Sequence, residues 1–322
     1  MIEEAVEMIS TFRKGGAQSA YDVASTHIRD KASREYARLR YEPAAPECYL
    51  MSEDWDNLII LDACRYDQFE RLNSISGRLE ARSSLASATP QVLSANFKGT
   101  SQADTVYVTA NPMYRTVGLS EVFHDVVDVW LSEWSEDHKT VLPEKVTGAA
   151  LEAYKQYPNK RLIVHFMQPH HPFICDNFGS SINTTGYEKN RGQILGDNTA
   201  EDETTVWDLL EAGEIDKETV WEAYDENLEL VLPHVEKLVT EMKERTIVTS
   251  DHGNLVGERI APFGRPMYGH PFNVYTEELL TVPWLVIEGD RRKEVHNKGT
   301  QCAANGQDNI VSERLADLGY TE

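Results

Sequence analysis

Cysteine is scarce in this sequence: four in 322 residues, at Cys48, Cys64, Cys175 and Cys302, with no CxxC pair among them. That excludes a disulfide framework and a cysteine-rich zinc site. No apolar run approaches the length needed to span a bilayer, and no internal repeat is visible. The opening MIEEAVEMISTFRKGG lacks a charged segment followed by an apolar one, so no signal peptide is expected and the expected compartment is the cytoplasm. Basic residues are also in short supply. Lysine and arginine number 31 against 53 aspartates and glutamates, a formal charge of -22, with no basic run of five or more. Such a surface repels nucleic-acid phosphates, which argues against a nucleic-acid partner. The acid is spread through the whole chain rather than gathered in a tail. Dispersed carboxylates of this kind hold water and ions in concentrated salt, so a halophilic protein is expected.

What is present is an alternation of strand-like and helix-like segments, with 41% hydrophobic residues, enough for one large core or two modest ones. Residues 1–42 read as helical, with Pro43 and Pro46 ending the run, so residues 1–50 are expected to form a helical N-terminal extension and residues 51–322 an α/β body. Asn57–Leu61, Thr105–Thr109, Arg161–Phe166, Arg245–Ser250 and Val282–Ile287 predict strands. Pro143–Tyr157 and Lys217–Lys243 predict helices, the second interrupted at Pro233, and Ser312–Leu318 a short final one. The polar stretch from about Cys175 to Trp207 predicts a long loop. Asp62, Gln168 and Asp251 stand at strand ends, where open α/β sheets place their ligand sites.

Three segments carry residues capable of chemistry. Thr249-Ser250-Asp251-His252-Gly253-Asn254 follows a strand and offers one hard oxygen and one imidazole nitrogen, a pair suited to Zn²⁺ or Mn²⁺. The alternative is a turn with a capping Asp. Leu61-Asp62-Ala63-Cys64-Arg65-Tyr66-Asp67 offers a second carboxylate for the same ion and, in Arg65, a group able to hold an anion. Asp62 or Asp67 could instead cap the following helix, and Cys64 reads as a small buried thiol. In Ser87-Ala88-Thr89-Pro90-Gln91, Thr89 precedes a helix with Pro90 at its first position. There a hydroxyl serves either as an N-cap or as a group aimed at an anion on the helix dipole.

In this order, LDACRYD, SATPQVLSANFKG with Thr89 ten residues before Gly99, TIVTSDHGN, LLTVPWLVIEG and ERLADLGY resemble the sulfatase-like branch of the alkaline phosphatase superfamily, and WDNLIILDACRYD resembles its haloarchaeal members. The resemblance implies an alkaline phosphatase-like sandwich whose central, mostly parallel sheet is flanked by helices. It also implies a divalent cation held by Asp62, Thr89, Asp251 and His252, with Zn²⁺ or Mn²⁺ favoured and Mg²⁺ or Ca²⁺ possible. Thr89 would be the nucleophile and Arg65 the anion holder. In HFMQPHHPF, His170 or His171 would meet the substrate or leaving group, and His270 stands where two-metal relatives place a further ligand. The implied substrate is a phosphate or sulfate ester, of a small molecule, a glycan or a lipid-linked compound. Thr89-Pro90-Gln91-Val92-Leu93 replaces the CxPSR of true sulfatases, so no formylglycine can form. The Asp-x-x-x-His of two-metal phosphodiesterases is missing from the middle strand. Two other readings stay open: a non-catalytic protein binding an anion or glycan, and a two-metal phosphomutase-like enzyme. The oligomeric state is not legible.

Overall fold

The computed structural model describes residues 28–174, 188–196, 204–260 and 264–296. The expected helices at Glu3–Phe12 and Ser312–Leu318 lie outside these residues. Residues 28–40 are helical (α1), with Ser33 and Ala37 buried against the body and the rest of the turn outward. The chain joins the sheet before Met51: Cys48 N–H donates to the Ser83 carbonyl, and Ser83 N–H to that of Pro46.

Seven strands form one mixed sheet: β1 (Asn57–Asp62), β2 (Arg78–Ser83), β3 (Gln102–Thr109), β4 (Phe123–Asp128), β7 (Arg161–Pro169), β8 (Thr246–Ser250) and β11 (Thr281–Ile287), after two short antiparallel pairs, β5 (Trp134–Ser135) with β6 (Thr140–Val141) and β9 (Leu255–Arg259) with β10 (Pro266–Gly269), are set apart. The order is β2-β11-β8-β1-β7-β3-β4. From β8 to β4 all neighbours run parallel, and β11 runs antiparallel between β8 and β2. The fold is therefore α/β with a mostly parallel sheet flanked by helices, as the alternating pattern predicts. The five expected strands are β1, β3, β7, β8 and β11. The two unforeseen strands, β2 (RLEARS) and β4 (FHDVVD), lie at the sheet edges and are only partly buried. Edge strands tolerate charge, which erases the apolar signature of their buried neighbours.

The helices are α2 (Tyr66–Leu72), α3 (Thr89–Phe97), α4 (Met113–Thr116), α5 (Val129–Ser132), α6 (Pro143–Gln156), α7 (Glu188–Leu195), α8 (Val206–Ala212), α9 (Lys217–Glu241) and α10 (Glu277–Leu280). Helix α9 runs unbroken through Pro233, against the sequence expectation. Pro233 is exposed, so the carbonyl it leaves without an amide faces water rather than the core. Opposite it, Val220, Tyr224, Leu228, Val231, Val235 and Leu238 are fully buried. Helices α7 and the start of α8 fall within the stretch expected to be loop.

β1 is buried at all six positions. With β7 and β8 on either side, its register pairs Ile60 with His165 and Thr249, and Leu61 with Phe166 and Ser250. The C-terminal ends of these three central strands thus meet at one edge of the sheet.

A buried cluster of carboxylates and imidazoles as candidate metal centre

Asp62 ends β1 and is fully buried. The next residue, Ala63, takes a left-handed backbone with φ 57°, and its N–H donates to Asp251 Oδ1 at 2.9 Å. A non-glycine residue held there is costly, and such positions persist where surrounding structure fixes them. Asp251 directly follows β8. Its Oδ1 also accepts the His252 N–H at 2.8 Å, and Ser84 Oγ donates to its carbonyl. These contacts leave Asp251 Oδ2 to accept the Thr89 hydroxyl at 2.7 Å. Gly253 passes so close to the Glu278 carbonyl that a Cβ would stand 2.0 Å from its oxygen. Close approach, rather than a left-handed turn, is what reserves this position for glycine.

Thr89 is the first residue of α3. The N-cap is Ala88, and no side chain caps the helix. The capping reading of Thr89 therefore fails, and its hydroxyl turns into the cluster, where His252 Nε2 lies 3.2 Å away. The other two nearby hydroxyls are engaged elsewhere: Ser87 donates to the Pro271 carbonyl at 2.8 Å, and Ser84 serves the Asp251 backbone.

His252 Nδ1 stands 2.8 Å from the Gly253 carbonyl. A carbonyl only accepts, so Nδ1 carries the proton and the lone pair sits on Nε2. That lone pair is 3.4 Å from Asp251 Oδ2 and 3.9 Å from Asp62 Oδ1. Burial pushes His252 down to about 4, keeping the ring neutral.

The sequence reading missed His165. Fully buried on β7, it places Nε2 3.8 Å from Asp62 Oδ2, while Nδ1 is 2.7 Å from the Tyr107 hydroxyl. One donor atom each from Asp62, His165 and Asp251 lie within 4.8 Å of one another. Burial also drives His165 down to about 4. Asn111, again not foreseen, donates to Asp62 Oδ2 at 2.5 Å. Its place in the sequence is the middle of β7, among apolar neighbours, where nothing local sets it apart.

The remaining expected residues divide. His270 packs at a tilt against His252 with ring centroids 4.4 Å apart, and its Nε2 lies 2.9 Å from that of His170. His170 Nδ1 faces the His171 carbonyl, so its Nε2 bears a lone pair and accepts from His270. Burial, with His252 close by, holds His270 down to about 3. His171 stacks on His170 at 4.4 Å and meets Trp207 edge-on, one ring further from the carboxylates. Arg65 lies beside the site but is engaged: it pairs with both oxygens of Asp67 at 2.8 and 2.7 Å, with Glu258 at 2.9 Å and with the Asn254 carbonyl at 3.1 Å. Its guanidinium also lies over the Trp221 ring. Asp67 is in the first turn of α2, with Arg65 at the N-cap position, so neither Asp62 nor Asp67 caps that helix. Cys64 is buried, and burial raises its thiol well above the ordinary value.

The donor set suits a divalent cation. Asp62 Oδ1 is buried without a hydrogen-bond partner, and so is His165 Nε2. Burial and the neighbouring Asp251 raise Asp62 well above the carboxylate range, the expected result for two acids sharing a dry site with no cation. Four separations among Thr89 Oγ1, Asp251 Oδ2, His252 Nε2 and Asp62 Oδ1 run from 2.7 to 3.9 Å. They bracket the edge of about 3.3 Å that a tetrahedron with ~2.0 Å bonds requires.

No family model and no curated protein matches the chain. Solved structures similar to it include the integral membrane lipooligosaccharide phosphoethanolamine transferase A from Neisseria meningitidis, at 12% identity over 97% of this chain and 69% of that one, TM-score 0.47. The C-terminal periplasmic domain of a phosphoethanolamine transferase from Campylobacter jejuni is 15% identical over 82% of this chain and 88% of that one, TM-score 0.47. A lipoteichoic acid synthase from Listeria monocytogenes is 11% identical over 81% and 72% of the respective chains, TM-score 0.42. Each is a distant likeness of overall chain course. The chemistry of this site is carried by its own residues. Among the described residues, no helix is long and apolar enough to cross a membrane.

Proposed function

We propose that the protein is a metal-dependent enzyme that cleaves or transfers a phosphate or sulfate ester, with Thr89 as nucleophile and Asp62, Asp251 and His252 holding the cation together with the Thr89 oxygen. One observation carries the reading: the Thr89 hydroxyl, at a helix start, donates to Asp251 within a buried set of two carboxylates and neutral imidazoles. His165 adds a further nitrogen donor to that set. Mixed oxygen and imidazole donors favour Zn²⁺ or Mn²⁺. When bound, such an ion offsets the charge of the paired carboxylates and polarises the ester.

The chain's own residues supply the rest. Thr89 Oγ forms a bond to phosphorus or sulfur as the bond to the leaving oxygen breaks, and the hydroxyl proton passes along the 2.7 Å contact to Asp251 Oδ2. The positive end of α3 favours negative charge on the attacking oxygen and on the transferred group. His270, packed against His252, and His170, hydrogen-bonded to His270, form the rim that meets the departing oxygen, which takes up its proton from water. Water or an acceptor alcohol then displaces Thr89 Oγ. Arg65 positions the site instead of holding the anion, tying the β1–α2 turn to Asn254 and Glu258. A phosphate ester is favoured over a sulfate ester, because no formylglycine can form in this chain.

Incubation with aryl phosphate and aryl sulfate esters in the presence of Mn²⁺ or Zn²⁺, followed by peptide mass spectrometry, tests the assignment. The expected result is turnover with one transferred group trapped on Thr89. Parent-like turnover by Thr89→Ala would overturn it.

A further inference from the structure

Helix α1 is basic in an acidic chain. Its residues 28–40 hold Arg29, Lys31, Arg34, Arg38 and Arg40 against Asp30 and Glu35, in a protein of net charge -22. Three of these cations, Lys31, Arg34 and Arg38, are spaced i, i+3 and i+7, which places them along one face of the helix. That face, together with Glu35, forms one wall of a groove of about 540 Å³, whose other wall is Phe272, Asn273 and Tyr275. Arg38 is paired with Glu35 at 2.9 Å. For Lys31 and Arg34, both exposed, there is no ion pair among the described residues. Arg29 and Arg40 project from a different side of the helix and do not line the groove.

The groove adjoins the carboxylate–imidazole cluster through shared chain. Phe272 is two residues beyond His270, so its Cα lies within about 7 Å of that of His270. Asn273 Oδ1 accepts from Gln91 at 2.7 Å, two residues after Thr89 on α3, and the Pro271 carbonyl accepts from Ser87. One loop, 270–275, therefore carries a histidine of the cluster at one end and the groove wall at the other.

We infer that the groove between α1 and loop 270–275 is a binding subsite for a second anionic group, a phosphate or sulfate on the part of the substrate beyond the ester that is cleaved. Lys31 and Arg34 supply charge-assisted hydrogen bonds to its oxygens, and the exposed ring of Phe272 supports the body that carries it. The assignment of a substrate rests on the ester chemistry proposed above. The anion-binding property of the groove does not.

The test has two arms. In the first, inorganic pyrophosphate is titrated calorimetrically into chelator-treated Asp251→Asn protein, in which the cluster has lost a carboxylate and its cation. The double variant Lys31→Glu/Arg34→Glu should weaken binding about ten-fold or more, whereas Arg29→Glu/Arg40→Glu, with the same charge change, should stay within about two-fold. Equal losses in the two variants, or no loss in the first, would overturn the subsite. In the second arm, the same pairs are compared on the otherwise unaltered enzyme. KM for an aryl ester bearing a second phosphate should rise about ten-fold in Lys31→Glu/Arg34→Glu with kcat held, and KM for 4-nitrophenyl phosphate should not change. Absence of turnover in the parent would sink the ester chemistry and leave the pyrophosphate arm to decide the groove.

Discussion

The Thr89 hydroxyl donates to Asp251 Oδ2 at 2.7 Å although the two residues stand 162 positions apart. One begins a helix after the edge strand β2, and the other follows the central strand β8. A cap would have turned the threonine back toward its own helix. Instead its proton lies against a buried carboxylate, the one that would take it up in the proposed attack.

That placement separates stability from turnover. Because Ala88 is the N-cap and Thr89 makes no capping bond, Thr89→Ala forfeits no cap, and its cost in unfolding free energy should be that of the buried hydrogen bond to Asp251, about 1–3 kcal/mol. Turnover should fall by about two orders of magnitude or more, with Thr89→Ser retaining part of it. Paired denaturant melts and ester assays check both. A large loss of stability with turnover intact would return Thr89 to a structural role.

Protons and a cation compete for the same atoms. In the fold His165 and His252 titrate near 4, against about 6.5 in an unfolded chain. Between those values the unfolded chain binds more protons, so stability of the chelated protein should fall as pH drops from 6.5 toward 4, by up to about 1.4 kcal/mol per unit for each ring. Asp62, raised in the fold, acts oppositely and destabilises the chelated protein as pH rises above the ordinary aspartate range. Added Zn²⁺ or Mn²⁺ relieves that second effect, so its gain in melting temperature should be larger at pH 8 than at pH 5. A gain independent of pH would contradict the shared donor set.

Arg65 should behave as a positioning residue. Arg65→Ala removes a bidentate pair to Asp67, the contacts to Glu258 and the Asn254 carbonyl, and packing on Trp221. A loss of roughly 2 kcal/mol is expected, since Asp67 is largely exposed and its share is screened. KM for a small aryl ester, corrected for the folded fraction, should stay near the parent value. A ten-fold rise in KM with unchanged stability would restore the anion-holding role.

The dispersed acidic charge predicts a fold that gains from salt. Screening shortens the reach of repulsion among the carboxylates to a few ångströms at molar concentration. The melting temperature should rise between dilute buffer and molar potassium chloride. A flat or falling curve would remove the halophilic reading.

The central strands and the cluster's two carboxylates were legible for one reason. Buried parallel strands are apolar throughout, so a polar residue at the end of the run, as at Asp62 and Asp251, stands out. His165 was not legible, because a single histidine within RLIVHFMQP carries no periodic signal, and only the register beside Ile60 and Thr109 brings it to the carboxylates. The same holds for Asn111 on its loop and for the contact between His170 and His270, a hundred residues apart. Arg65 sat in a motif that suggested an anion, and its acidic neighbour Glu258 comes from β9, which no local pattern announces. Sequence order places chemistry at strand ends, but partner choice is a tertiary property.

The most direct measurement is metal content by mass spectrometry, alongside ester turnover, for the parent and Asp251→Asn after dialysis against limiting Zn²⁺ or Mn²⁺. Asp251→Asn keeps the side chain's shape while removing the charge that accepts the Thr89 proton. The parent should retain a divalent ion and cleave an aryl phosphate ester, and the variant should lose both together while remaining folded. Full metal content with parent-like turnover in Asp251→Asn would contradict the assignment of the cluster.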